Sequence, residues 1–493
     1  MSILGSILGF IYQLCQYLLS HELSLSIKLL ALYLLVIYNL FFPRSQRAQR
    51  SLNISKQVFC IGNRVLRYLL TDPPILLSLS LFVCSLWCKI VPYFCGHGLG
   101  HEHARHGKIY IIMQNLYSKE NPFLASIKER YRLSNPRSEK ETYHISLDLK
   151  GSDYRYHPGD SIAIFSVNDP QLVERTIVAM GATGDEAIVD RKGLCFPLRE
   201  FLTTKANLTE ISRNFFLHIL EKQHDPELRE RLQSLSEDEN RNALKDYLEA
   251  REVWDFLSEN RQVIFTPQEI VSMLKPLLPR FYSIASSQNA VGDEVHLTVA
   301  ALSYSSNGHP RMGVCTNFLC NLAPINQPAV PLYVQPHHGF TIPDNVDQDI
   351  IMVGPGTGVA PFRAFMQERE KQQGKGRNWL FFGERRMEDD FLYRDYWQKL
   401  HASQRLHIDT AFSRDQETKI YVQHRMEEQG HKLFQWLKNG ASLYVCGDAK
   451  YMAKDVEAAL HRIVETHGAL SQPAAKDYVK KLRADKKYLR DVY

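Results

Sequence analysis

The chain has 493 residues, 44% hydrophobic and 23% charged, with 59 Lys and Arg set against 54 Asp and Glu for a net charge of +5. That length calls for several domains. A charge so small and diffuse argues against nucleic-acid binding, although exposed Lys and Arg remain able to steer an acidic partner.

Residues 1–112 differ in composition from the rest. Leu23 to Phe42 is almost wholly apolar around Lys28, and Ile75 to Phe94 is a second such run broken by Lys89 and Pro92. Each comes near the ~20 residues of a membrane helix. Ile3 to Leu19 is shorter and lacks the basic flank of a signal peptide. Arg44, Arg47, Arg50, Lys56, Arg64 and Arg67 lie between the longer runs, which by the positive-inside rule puts that loop in the cytoplasm. Cys84, Cys88 and Cys95 precede His97, His101, His103 and His106. Their spacing fits no standard finger, so no metal site is expected. Five of the nine cysteines fall before residue 100, and the remaining four match no disulfide framework and suit a reducing compartment.

From 169 to 275 the chain is rich in Leu, Glu, Lys and Arg, and Leu244, Tyr247, Leu248 and Phe256 recur at helical spacing. Glu237, Asp238 and Glu239 read as a solvated face. Next comes Pro279-Arg280-Phe281-Tyr282-Ser283-Ile284-Ala285-Ser286-Ser287. Arg280 can pair with a pyrophosphate, Tyr282 can lie against a flat ring, and Ser283 offers a hydroxyl near that ring. Gly313-Val314-Cys315-Thr316 then opens a short helix with amides free for phosphate. Either stretch alone is also what a plain alternating strand or a helix cap looks like.

Ile350 to Val353 reads as a buried parallel strand entered past Asp347 and Asp349 and left through Gly354, Gly356, Thr357 and Gly358. Pro361 suits the first turn of the helix that follows. This is neither a Walker loop nor GxGxxG, yet a strand, a glycine loop and a helix start together make a phosphate site. After an expected strand from His407 to Phe412 come Ser413, Arg414, Lys419, Ile420, Tyr421, Val422 and Gln423. A free ribose hydroxyl wants an acid at a strand end, whereas a 2′-phosphate wants cations. Cations dominate here, which favours NADPH over NADH. A solvated basic loop would carry the same residues.

In this order and spacing, with Leu443 to Ala449 (LYVCGDA) and the terminal Arg490-Asp491-Val492-Tyr493, the chain from about Tyr117 onward resembles the diflavin reductases, most closely the flavoprotein subunits of NADPH-dependent sulfite reductase. The resemblance implies an antiparallel FAD-binding β-barrel (113–168 and 276–345, opening at Tyr156 to Ser161) with a helical connecting insertion (169–275). It also implies a parallel-sheet NADP-binding α/β domain over 346–493, as in ferredoxin-NADP reductases. FAD would be held by Arg280, Phe281, Tyr282, Ser283, Thr298, Val299, Ala300, Tyr304, Gly313, Val314, Cys315 and Thr316, with Cys315 where the family usually has Ala or Ser. NADP would be held by the glycine loop, by Ser413, Arg414 and Lys419 to Gln423, and by Asp455. Ser283, Cys446 and Asp491 would surround the hydride-transfer contact, with Tyr493 shielding the flavin face as lid and gate.

The family also implies a flavodoxin-like FMN domain before the linker, and no Ser/Thr-rich phosphate loop of that kind precedes Tyr117. The chain therefore reads as a single-flavin reductase passing electrons to a separate acceptor, either a haem and iron-sulfur sulfite reductase subunit or a flavodoxin-like protein. The alternatives are a general flavodoxin or ferredoxin reductase and a catalytically weak, membrane-associated flavin-binding module. A second membrane span would carry the catalytic part away from cytoplasmic NADPH. Either Ile75 to Phe94 does not span, or translation begins at Met113.

Overall fold

The computed structural model describes residues 117–337 and 339–493, all within one compact unit, Arg105–Tyr493. The apolar runs, the Cys/His cluster and the Met113 start lie outside the described residues.

Six antiparallel strands form the first layer, in the order Arg280–Ser283, Ser161–Ile164, Pro328–Gln335, Phe123–Arg132, Glu141–Asp148 and Glu294–Ala301. The sheet closes on itself through the bridge Ile284↔Leu297 and the bond from Ala285 N–H to His296 O at 2.8 Å. Closure removes the open edges. Alternation fills the inside, where Ala125, Ile127, Ile145, Leu147, Ile162, Ile164, Val295, Leu297, Val299, Val330 and Leu332 are buried together.

The insertion has a core of its own, with Phe215 and Phe216 packed on Phe256 at 5.5 and 6.3 Å and Leu244 buried beside them. Its helices start where side-chain chemistry dictates. Asp169, Asp225 and Thr266 cap helices whose next residue is Pro170, Pro226 and Pro267, and Thr266 with Glu269 completes a capping box. Glu237, Asp238 and Glu239 are exposed at a single 3₁₀ turn that begins at Asp238. A buried ion triad ties the insertion to the barrel. Arg311, on strand His309–Met312, reaches Glu252 at 2.7 Å and Asp255 at 2.5 Å with its side chain only 1% exposed. That strand pairs with Ser303–Ser306, so the triad also props Tyr304.

The second domain is a five-stranded parallel sheet ordered His407–Phe412, Asn378–Glu384, Ile350–Val353, Ser442–Gly447, Tyr488–Val492. Side chains alternate between two cores. Ile351, Val353, Phe381, Leu443 and Val445 face one, while Ile350, Met352, Leu380, Phe382 and Tyr444 face the other. Both faces are covered, which is why these strands read as unbroken apolar runs. In chain order the strands lie 3-2-1-4-5, and the order reverses between Ile350–Val353 and Ser442–Gly447. Ligands bind at the carboxyl ends of the strands beside such a switch point. Gly354 to Gly358, Glu384, Ser413, Cys446 and Tyr493 are all at or just beyond those ends.

Candidate functional site

Two cavities flank the carboxyl edge of the parallel sheet. The larger, about 1300 Å³, lies between barrel, insertion and sheet. Arg280, Phe281, Tyr282 and Ser283 line it from one strand, Thr298 and Ala300 from another, Tyr304 from the hairpin, Gly313, Val314, Cys315 and Thr316 from the following turn, and Tyr493 from the terminus. Val299 does not. Strand alternation turns its side chain into the barrel core, where it is fully buried. Cys315 is buried as well, and burial pushes its thiol up to about 11. At neutral pH it is a small uncharged filler.

Thr357 belongs to this cavity and not to the glycine-loop side where its sequence position places it. Its hydroxyl bonds the Tyr493 hydroxyl at 2.9 Å. Two more bonds fix Tyr493 by its backbone: its N–H donates to Gly447 O at 3.1 Å and its carbonyl accepts from Ala449 N–H at 3.0 Å. Even so the residue is 63% exposed, so the ring is free on the cavity side while the chain beneath it is pinned.

Close to that terminus three residues converge from remote parts of the sequence. Parallel register makes Cys446 and Asp491 direct neighbours, and Cys446 Sγ lies 3.9 Å from Asp491 Oδ2. Ser283, on the barrel, donates its hydroxyl to the same oxygen at 2.9 Å. Cys446 is fully buried, and burial together with the Asp491 charge holds its thiol well above the usual range. It is a neutral S–H group and not a thiolate nucleophile.

The glycines divide the labour of the loop. Gly356 has φ +59° and lines the smaller cavity. At Gly358 a Cβ would sit 2.2 Å from the Cys446 carbonyl oxygen, and at Gly354 2.6 Å from the Gly358 oxygen. Those two let loop and strand close up behind the cysteine, and neither lines either of these two cavities.

The smaller cavity, about 620 Å³, is lined by Gly356, Ser413, Arg414, Lys419, Tyr421, Val422, Gln423 and Asp455. Ile420 is not among them, because it packs against the sheet core. Gln423 donates to Asp455 at 3.5 Å. Several lining residues had no sequence signal. Lys140 and Glu384 meet there at 2.6 Å, Arg385 stands beside Arg414, and Tyr451 closes the rim. They come from a barrel hairpin and from loops, and no local motif announces that a hairpin some 250 positions upstream will reach the sheet.

The FAD binding domain family matches residues 116–318 and the oxidoreductase NAD-binding domain family residues 352–458. Sulfite reductase [NADPH] flavoprotein alpha-components are similar over most of the chain. That of Bacillus subtilis is 41% identical across 384 residues (77% of this chain, 62% of the relative), and that of Vibrio cholerae 42% across 379 residues (76% and 60%). The protein of Zymomonas mobilis is 40% identical across 381 residues. The chain therefore joins an FAD-binding domain to an oxidoreductase NAD-binding domain and is similar to these flavoproteins. It spans about six-tenths of the length of the curated relatives it matches. The two domain matches and the NADPH flavoprotein relatives support FAD and NADPH as the cofactors, with an antiparallel flavin-side sheet followed by a parallel nucleotide-side sheet.

The residues present fit both groups. The larger cavity combines aromatic rings for a flavin, a guanidinium at Arg280 for its pyrophosphate, and a turn whose first amides no helix satisfies internally. The smaller combines a positive-φ glycine with Arg414 and Lys419 for a phosphorylated ribose. Among the described residues no helix is long and apolar enough to cross a membrane.

Proposed function

We propose that this protein takes hydride from NADPH and passes electrons to a separate protein acceptor, as the flavoprotein component of sulfite reduction. The observation that carries the reading is the meeting of Ser283 and Cys446 on one oxygen of Asp491, with Ser283 lining the larger cavity alongside Tyr493 and the glycine loop packed behind Cys446. FAD in the larger cavity supplies the hydride acceptor. The chain's own residues bind, orient and gate.

Arg280 and the Gly313 to Thr316 turn would hold the pyrophosphate of the flavin cofactor, with Tyr282 and Tyr304 bordering its rings. Ser283 offers its hydroxyl at the flavin edge. The Asp491 carboxylate fixes the direction of that hydroxyl and stabilises the positive charge that develops on the nicotinamide as hydride leaves. Cys446, uncharged and buried, sets how closely the nicotinamide can approach. Stacking at van der Waals distance is the orientation effect that the reaction requires. Tyr493 occupies the stacking place until it swings aside. Its backbone pins keep the terminus in position, so opening breaks only the single exposed hydroxyl bond to Thr357.

In the smaller cavity Arg414, Lys419 and Ser413 receive the 2′-phosphate, Tyr421 and Gln423 border the adenosine, and Asp455 orders Gln423. The relatives are named as the flavoprotein alpha-component of sulfite reductase, and the acceptor proposed here is a separate haem and iron-sulfur subunit. The catalytic domains then face the cytoplasm, where NADPH is. A charge-assisted hydrogen bond contributes about 1.5–3 kcal/mol, so Arg414→Ala weakens NADPH binding roughly ten- to a hundredfold. Anaerobic stopped-flow of the FAD-loaded protein tests the reading. Fast bleaching of the flavin band by NADPH, much slower bleaching by NADH, and loss of that difference in Arg414→Ala are expected. Equal rates with the two dinucleotides would reject it.

A further inference from the structure

Two arginines that line the smaller cavity are already paired with an anion supplied by the chain itself. Glu139 sits in the barrel hairpin between strands Phe123–Arg132 and Glu141–Asp148 and extends across to the sheet domain. Its Oε2 accepts from Arg385 Nη1 at 2.8 Å and from Arg414 Nη1 at 2.5 Å, so two guanidiniums converge on one carboxylate oxygen. That is the donor arrangement a phosphate monoester takes. Both arginines line the cavity, with Ser413 and Lys419 beside them.

The hairpin does not depend on Glu139 for its position. Asn135 N–H donates to Asp389 O at 2.7 Å, Arg137 pairs with Asp389 at 3.0 Å, Ser138 bonds Asp390, and Lys140 bonds Glu384 at 2.6 Å. With those contacts in place, Glu139 is surplus to anchoring. Its side chain is 58% exposed, and ion pairs that exposed are worth little in water. A ligand with more negative charge can displace it.

We propose that Glu139 is an internal competitor for the 2′-phosphate subsite: its carboxylate stands in the place of the 2′-phosphate on Arg385 and Arg414, and a dinucleotide bearing that phosphate must displace it to bind them. The inference rests on the reading of Arg414 as the 2′-phosphate partner. Without a dinucleotide the carboxylate keeps two cations from repelling each other. With NADH it stays where it is, and the arginines have nothing further to offer the free ribose hydroxyl. With NADPH the phosphate takes both guanidiniums and the carboxylate turns to solvent. The neighbouring Arg414 holds the Glu139 carboxyl below its usual range, so the stand-in is charged at neutral pH.

Calorimetric titration of the FAD-loaded protein with 2′,5′-ADP and with 5′-ADP separates the two claims. Glu139→Gln and Glu139→Ala should each tighten 2′,5′-ADP by about two- to fivefold, the scale of an exposed ion pair, and leave 5′-ADP unchanged. Arg414→Ala should weaken 2′,5′-ADP by tenfold or more. If Arg414→Ala weakens 2′,5′-ADP while both Glu139 variants leave it unchanged or weaken it too, Glu139 orients the arginine or stands idle. The present inference then fails, and the dinucleotide reading stands. If Arg414→Ala has no effect on 2′,5′-ADP, both fail together.

Discussion

The two cavities are built on opposite plans. The larger is assembled around packing, with rings and small residues presented by a closed barrel and propped by an insertion that has its own core. The smaller is assembled around charge, and three of its basic side chains already meet acids of the chain, Arg385 and Arg414 with Glu139 and Lys140 with Glu384. A cavity made by packing is rigid and answers to changes in the scaffold. One made by charge is adjustable and answers to the charge of its ligand.

The largest expected effect falls on the scaffold of the first plan. Arg311 joins barrel to insertion with almost no exposure, and removing one member of a buried ion triad strands the others. Arg311→Ala should cost about 3–5 kcal/mol in urea unfolding and lower the FAD content of the purified protein. Stability within 1 kcal/mol of the parent would show that the insertion does not support the larger cavity.

Next comes the point where the plans meet. Asp491→Asn keeps the shape of the side chain but removes its charge, and should slow flavin bleaching by NADPH about a hundredfold with FAD content unchanged. An unchanged rate would move the decisive charge elsewhere. This effect, unlike that of Arg414→Ala, should persist at saturating NADPH.

A smaller effect concerns acid. His144 and His296 pack edge to face at 4.7 Å between barrel and sheet domain, and burial pushes their imidazoles down to about 3 and about 4. The unfolded chain, with ordinary imidazoles near 6.5, binds protons that the folded protein refuses. The stability these rings contribute is therefore complete above pH 6.5 and is lost as the pH falls toward 4, on the order of 1 kcal/mol per pH unit for each ring. Denaturant midpoints measured from pH 7.5 to 4.5 should fall, and His144→Gln with His296→Gln should flatten the profile. A profile equally steep in the double variant would assign acid lability to other groups.

Much of this was legible along the chain. The strand at Ile350 to Val353 was readable because a strand covered on both faces is apolar without interruption, and the strand His407–Phe412 lies where it was expected. Arg280 to Ser283 and Gly313 to Thr316, picked out as residue types suited to a phosphate and a flat ring, line one and the same cavity. What failed to show was whatever depends on side-chain direction or on chain returning from afar. Val299 lies between two cavity residues and points the other way. Thr357 shares a loop with Gly356 but serves the Tyr493 ring. Glu139 and Lys140 carry no motif at all.

The sequence by itself determined the elements, the order of the two sheets and the chemistry each can hold, because periodicity, capping residues and glycine breaks are local properties of the chain. Only the tertiary structure decided that Ser283 and Asp491, 208 positions apart, share a hydrogen bond, and that Glu139 reaches Arg414 across 275. Those contacts follow from barrel closure, parallel register and the docking of one domain on the other, which are set by the packing of whole layers and leave no trace in any single stretch of residues.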